Sequence, residues 1–282
     1  MHLPPDFEAD ALIRYAHRRT EEREIYFVAN RQPQPVAARC VFRVTGRRPE
    51  LWDPVRGTVR PLPDFAQQDG RTTIPLRFEP HQSFFVVFPK DTAAVPKATG
   101  TRVNFRKLVT VGQIDGPWKV TFDTTAGGPP ATTFTTLDDW SRRPEAAIKY
   151  YAGIATYHRT FDLPPSLQGR AGRTMVLDLG QVHELARVRL NGSDLGIVWC
   201  APWRVDITRA LQQGKNQLEI DVANLWPNRL IGDKSVPPER RVTRTNFNPY
   251  RPDAPLLPSG LLGPVTLMAT EGPLATPARK GP

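Results

Sequence analysis

Asn191-Gly192 constrains this chain more than any other pair of residues in it. A two-residue hairpin turn that follows the twist of its strands needs positive φ at both positions, and Asn and Gly tolerate it. On one side stands Ala186-Arg187-Val188-Arg189-Leu190, alternating apolar and charged residues. On the other stands Leu195-Gly196-Ile197-Val198. Strict alternation means one buried face and one wetted face. The surrounding blocks from Lys149 to Trp226 are short, rich in aromatic and β-branched residues, and closed by Gly, Asn or Pro. That is the pattern of antiparallel strands joined by turns. Gln212-Gln213-Gly214-Lys215-Asn216 is a second polar turn, ahead of a strand at Gln217–Ala223. The fold class expected is all-β, built as β-sandwiches.

The 282 residues suffice for two domains, each with its own core. Thirty prolines suit many short strands and turns better than long helices. No apolar run reaches the roughly 18 residues of a membrane span, so no membrane partner is expected. The opening M-H-L-P-P-D-F-E lacks the charged and apolar regions of a signal peptide. Cys40 and Cys200 fall in different halves and suggest small buried strand residues, neither a disulfide framework nor a metal site.

The charge of +10 invites a nucleic-acid reading. The arginines, however, are scattered singly along the strands, and no zinc-ligand spacing, helix-turn-helix or RNA-recognition signature accompanies them. Basic charge alone supports only non-specific binding, so no specific nucleic acid is expected.

Along the chain, Leu12–Thr20 and Glu24–Asn30 read as paired strands across an acidic turn. Val36–Thr45 alternates, Glu50–Pro54 reads as a turn with Trp52 as its aromatic anchor, and Thr72–Phe78 and Ser83–Phe88 close the series. Asp91–Thr101 reads as a linker of small residues and prolines. The expected division is therefore a sandwich over 1–92, a second domain over 100–272, and a disordered tail over 273–282. Ser166–Gly172 reads as a loop holding one helical turn, and Asp206 or Thr208 as the cap of another. The segment Pro227–Ser259 carries seven prolines and little periodicity. It is too long for an ordinary sandwich connection and is expected to be functional, disordered or packed on a neighbour.

Several blocks carry a resemblance. Y-x-G-x-A-x-Y-x-R-x-F, L-D-L-G, V-R-L-N-G-x-x-L-G, P-W-R-V-D-I-T and A-N-x-W, in that order, resemble the galactose-binding-like jelly roll of family 2 glycosidases. The run Asn224–Asp233 and the late Ser259–Val265 resemble the C-terminal part of glycoside hydrolase family 106, the α-L-rhamnosidases. The blocks I-Y-F-V-A-N, F-R-V-T-G-R-R-P-E-L-W-D-P and R-F-E-P-H-Q-S-F-F-V-V-F resemble the region after that family's catalytic barrel. The resemblance implies an inverting carboxylate pair on a barrel that precedes the region seen here. For a full-length enzyme it also implies a periplasmic or secreted location.

Glycoside hydrolysis needs two carboxyl groups flanking the scissile bond. Here Asp178 and Asp206 lie at strand ends, where turn capping is expected. Glu219 and Asp221 alternate with apolar residues and should face solvent. The five histidines form no recognisable constellation, and His17 and His158 read as satisfied structural residues. No catalytic residue, metal site or cofactor is expected.

Trp203 and Trp118 read as core. Trp199 and Trp226 follow strands and open loops, where ligand contacts collect. Each is a sugar platform or a plug at the end of its own sandwich. Asn224, Asn228, Arg229 and Asp233 add amides, a forked cation and a carboxylate suited to sugar hydroxyls or a partner's carboxylate. A self-paired Arg229–Asp233 is the alternative. The expected partners are the missing catalytic barrel or a rhamnose-containing polysaccharide. The function expected is a non-catalytic accessory part of a rhamnosidase-like enzyme. A free-standing carbohydrate-binding module and a basic adaptor for nucleic acid or acidic partners are the alternatives.

Overall fold

The computed structural model describes residues 4–90, 103–163, 173–271 and, as backbone, 279–280. The linker at Asp91–Thr101 and the loop at Ser166–Gly172 lie outside the described residues. The chain divides into two units, Met1–Lys107 with Ala275–Pro282, and Leu108–Leu274. Both are sandwiches of antiparallel sheets.

The first unit contains β1 (Phe7–Ala9), β2 (Ile13–Arg19), β3 (Arg23–Asn30), β4 (Val36–Phe42), β5 (Glu50–Asp53), β6 (Thr58–Pro61), β7 (Ala66–Gln68), β8 (Arg71–Phe78) and β9 (Ser83–Pro89). One sheet runs β1-β4-β8-β7. The other begins β2-β3-β9-β5-β6. In β3 and β8 every second residue is buried, so Tyr26, Val28, Ile74 and Leu76 meet Cys40, Phe42, Phe84 and Phe88 in one core. Burial pushes the Cys40 thiol up to about 12, which keeps it protonated and unreactive. His17 is satisfied on both ring nitrogens, by Asp6 at 3.0 Å and Glu24 at 2.8 Å, and stacks on Tyr26. Its role is structural.

Three expectations need correction here. Glu50–Asp53 is a strand between β6 and β9, and the turn begins only where the Asp53 carboxylate accepts the Val55 and Arg56 N–H groups. The first unit also runs past residue 100. Asn104 donates to the Asp64 and Pro75 carbonyls and Phe105 packs on the first core, so these residues cannot leave with the second domain. Finally, the tail is not wholly without structure. Arg279–Lys280 pairs with β6 as the outermost strand of the second sheet.

The second unit contains β10 (Leu108–Gln113), β11 (Trp118–Phe122), β12 (Ala131–Phe134), β13 (Ile154–Asp162), β14 (Met175–Asp178), β15 (Gln181–His183), β16 (Leu185–Leu190), β17 (Ser193–Val198), β18 (Arg204–Asp206), β19 (Lys215–Ala223), β20 (Gly260–Gly263) and β21 (Thr266–Thr270). A four-stranded sheet runs β10-β21-β14-β18 and a six-stranded sheet runs β12-β11-β13-β19-β16-β17, beside a β15-β20 pair. The Asn191-Gly192 turn joins β16 to β17 with φ of 51° and 78°. Ala186, Val188 and Leu190 point into a core with Trp118, Phe134, Trp140 and Tyr157. The Trp140 indole N–H donates to the Tyr157 hydroxyl at 2.6 Å, which also accepts the Leu261 N–H. Gly260, at φ 100°, lies so close to this indole that a Cβ would stand 2.4 Å from its nitrogen. A side chain there would expel Trp140.

The Pro227–Ser259 excursion is pinned at both ends. Asn228 donates to the Leu257 carbonyl and accepts its N–H. The Ser259 N–H donates to Asp139, and its carbonyl accepts the Trp140 N–H. Between those ends most side chains are exposed.

Candidate ligand and docking surface

The stretch after β19 does not continue as a turn-rich loop. It forms a helix, α1 (Pro227–Lys234), with Trp226 at its N-cap and Pro227 in its first turn. Proline fits there because the first helical N–H groups have no partner inside the helix. Gly232 sits against the Tyr150 ring, where a Cβ would approach to 2.5 Å. The helix can therefore lie flat on Tyr150 only with glycine at that position.

This helix turns the predicted polar site inward. Asn228 is 1% exposed, Arg229 7% and Asp233 3%. Asn224 accepts the Gly153 N–H at 3.1 Å and donates to the Tyr151 carbonyl at 2.8 Å, tying β13 to β19. The Asn228 amide donates to Ser259 as well as to Leu257. One Asp233 oxygen accepts both the N–H and the hydroxyl of Thr243. Arg229 reaches the other only at 3.8 Å, while its Nε and Nη2 find no protein acceptor among the described residues. Burial lowers the Arg229 guanidinium from its usual range, with Asp233 and Tyr151 opposing. Asn224 and Asn228 are spent on protein partners, one Asp233 oxygen is engaged by Thr243 while the other is buried with no hydrogen bond among the described residues, and Arg229 is shut away from solvent.

The tryptophans do the opposite. Trp199, following β17, and Trp226, following β19, are 54% and 63% exposed. Neither plugs its sandwich. Both stand at the end of the six-stranded sheet where β13 begins and β19 ends. Residues that sequence reasoning passed over join them: Ile154, Leu185, Ile197 and Leu225 are all exposed. A signal for two of them was present. Ile154 and Leu185 occupy the outward parity of strands whose other outward positions are polar, such as Thr156, His158, Arg187 and Arg189.

Beyond that end the outer face is charged and internally paired. The Arg189 guanidinium grips Asp221 through two N–H groups at 2.7 and 2.9 Å and reaches Glu219 at 3.1 Å. Thr156 adds a hydroxyl donor to Asp221. Burial alone would push the Asp221 carboxyl up, but the Arg189 and Thr156 donors outweigh it and hold it below its usual range. Asp178 accepts from Arg204 at 2.6 Å and from the Gly180 N–H, and Asp206 caps the Thr208 N–H. Each of these acids is engaged in holding a turn or a strand pair. Among the described residues no cluster of three or more His, Cys, Asp or Glu has the arrangement of a metal site.

Comparison with known proteins fits this architecture. Residues 1–67 match the family described as α-L-rhamnosidase, glycoside hydrolase family 106. Residues 138–252 match the glycosyl hydrolase 2 galactose-binding domain-like family. The rhamnosidase structure from Novosphingobium sp. PP1Y superposes on 94% of this chain with a TM-score of 0.84 and 40% identity. This chain is related to a rhamnosidase. The rhamnosidase-related region covers 25% of that structure. A Formosa agariphila protein provisionally named a β-glucuronidase is 38% identical over 175 residues, which are 54% of this chain and 15% of its own length. The rhamnosidase-related chain thus spans a quarter or less of these two relatives, and its second unit carries the galactose-binding-like domain.

Proposed function

We propose that this chain is the non-catalytic C-terminal part of an α-L-rhamnosidase-like glycoside hydrolase, and that it supports a catalytic barrel carried elsewhere. The observation behind this reading is the extent of the likeness: nearly all of the chain superposes on only a quarter of a rhamnosidase. The acids of the second unit agree with it. Asp178, Asp206, Glu219 and Asp221 are tied to Arg204, Thr208 and Arg189 in structural roles. None is paired across a cleft as glycoside hydrolysis requires.

The test compares the purified chain with a full-length Novosphingobium rhamnosidase whose matched quarter has been replaced by this chain. The chain alone is expected to leave aryl α-L-rhamnosides intact, whereas the chimera hydrolyses them. Turnover by the chain alone, abolished by one Asp or Glu substitution within it, would overturn the reading. So would an inactive chimera.

A further inference from the structure

The outer face of the six-stranded sheet is divided by composition. Strand register places Ile154 beside Ala223 and Ala223 beside Leu185. Ala186 pairs with Val198, so Trp199 follows at the level of Leu185. The next row holds Thr156, Asp221, Arg187 and Ile197, and the row after it His158, Glu219 and Arg189. One end of the face is therefore an apolar row continued by Leu225 and Trp226. The rest is a rim of charges already paired with one another. The apolar end also reaches β17, the outermost strand of its sheet. An exposed apolar edge of this kind favours unwanted strand pairing unless something covers it.

We infer that this apolar end of the face, Leu185 and Trp199 with Ile197 one row in, is the surface that docks onto the catalytic part of the rhamnosidase-like protein. The inference rests on the function proposed above and adds the contact surface. Two observations choose this occupant. The chain matches one quarter of a rhamnosidase, leaving three quarters of such a protein to lie against it. The chemistry of the row also favours a protein surface over a glycan. A sugar platform needs hydroxyl-binding groups beside its aromatic face. Here Asn224 and Asn228 are spent on protein partners, Arg229 and Asp233 are buried, and the exposed neighbours Ile154, Leu185, Ile197 and Leu225 are aliphatic. Aliphatic side chains with a paired polar rim match the centre of a protein interface.

The experiment uses Leu185→Glu with Ile197→Glu, both at exposed positions. In the isolated chain the pair is expected to leave circular dichroism and the urea midpoint unchanged. In the full-length chimera it should raise the rate of heat inactivation at least tenfold. Should the pair unfold the chain, Leu225→Ser with Trp226→Ser carries the same comparison. Equal inactivation rates for substituted and unsubstituted chimeras, in an active enzyme, overturn the docking surface and leave the proposed function standing. Sedimentation of the isolated chain as a dimer that the substitution dissolves makes a second copy the occupant, and overturns the inference. So does binding of rhamnose-containing polysaccharide that the substitution abolishes. An inactive unsubstituted chimera overturns the proposed function, and the docking surface with it.

Discussion

The ten residues from Asn224 to Asp233 hold two populations that behave in opposite ways. Asn224, Asn228, Arg229 and Asp233 are the polar members; all four turn inward, and Asn224, Asn228 and Asp233 hold backbone segments together. Leu225 and Trp226 are apolar, and they stand in solvent. The usual sorting is reversed. A buried polar side chain held by hydrogen bonds organises the fold, while a contiguous patch of exposed apolar side chains offers a surface to another molecule. In the docking surface proposed above, it is the exposed apolar residues of this stretch that take part.

The strongest way to break that contrast is Asn228→Ala. It leaves the Leu257 N–H without its acceptor, takes one of two donors from the Leu257 carbonyl and removes a donor to Ser259. Urea unfolding should show a loss of about 3 kcal/mol, the sum of a lost cap on the excursion and unsatisfied buried groups. An unchanged midpoint would mean that the inward residues do not hold the fold.

Asp233 and Arg229 sharpen it next. Asp233→Ala deprives Thr243 of two acceptor contacts and leaves a buried guanidinium without its nearest carboxylate. About 2 kcal/mol of stability should disappear. Arg229→Met should cost clearly less, about 1 kcal/mol or under, because two of its nitrogens have no protein acceptor to lose. The order of the two unfolding midpoints is the check. If Arg229→Met is the more damaging, the guanidinium has partners that its geometry does not reveal.

The smallest effect belongs to the outward residues. Trp199→Ala and Trp226→Ala should each move the urea midpoint by no more than about 0.5 kcal/mol, as surface substitutions away from core and caps do. A larger loss in the isolated chain would make either tryptophan a structural plug, and the contrast would fail at that position.

The architecture was readable because its determinants are local. Asn191-Gly192 forces a hairpin wherever it stands, and Ala186–Leu190 assigns faces by parity alone. The fate of Asn228 and Asp233 was not readable, because a polar residue's chemistry does not state its direction. Helix α1 was hidden for a related reason. Pro227 and Gly232 look like breakers, yet one occupies the first turn and the other is demanded by the Tyr150 ring. Glu50–Asp53 was misread as a turn because Asp53-Pro54 does turn the chain, one strand later than expected. The outward parity of Leu185 and Ile154 was visible from the start, but becomes informative only when the register aligns them across neighbouring strands.

Asn228, Asp139 and Ser259 also bear on how this chain can change. They clamp the two ends of the excursion together, so its length is uncoupled from the sandwich beneath. Doubling a loop closed in this way costs only about 0.6 kcal/mol in closure entropy. The tip around Thr245–Phe247, exposed and remote from the clamp in sequence, is therefore a permissive site for insertions. A peptide tag or a small domain grafted there would leave the exposed apolar row and the core unaltered.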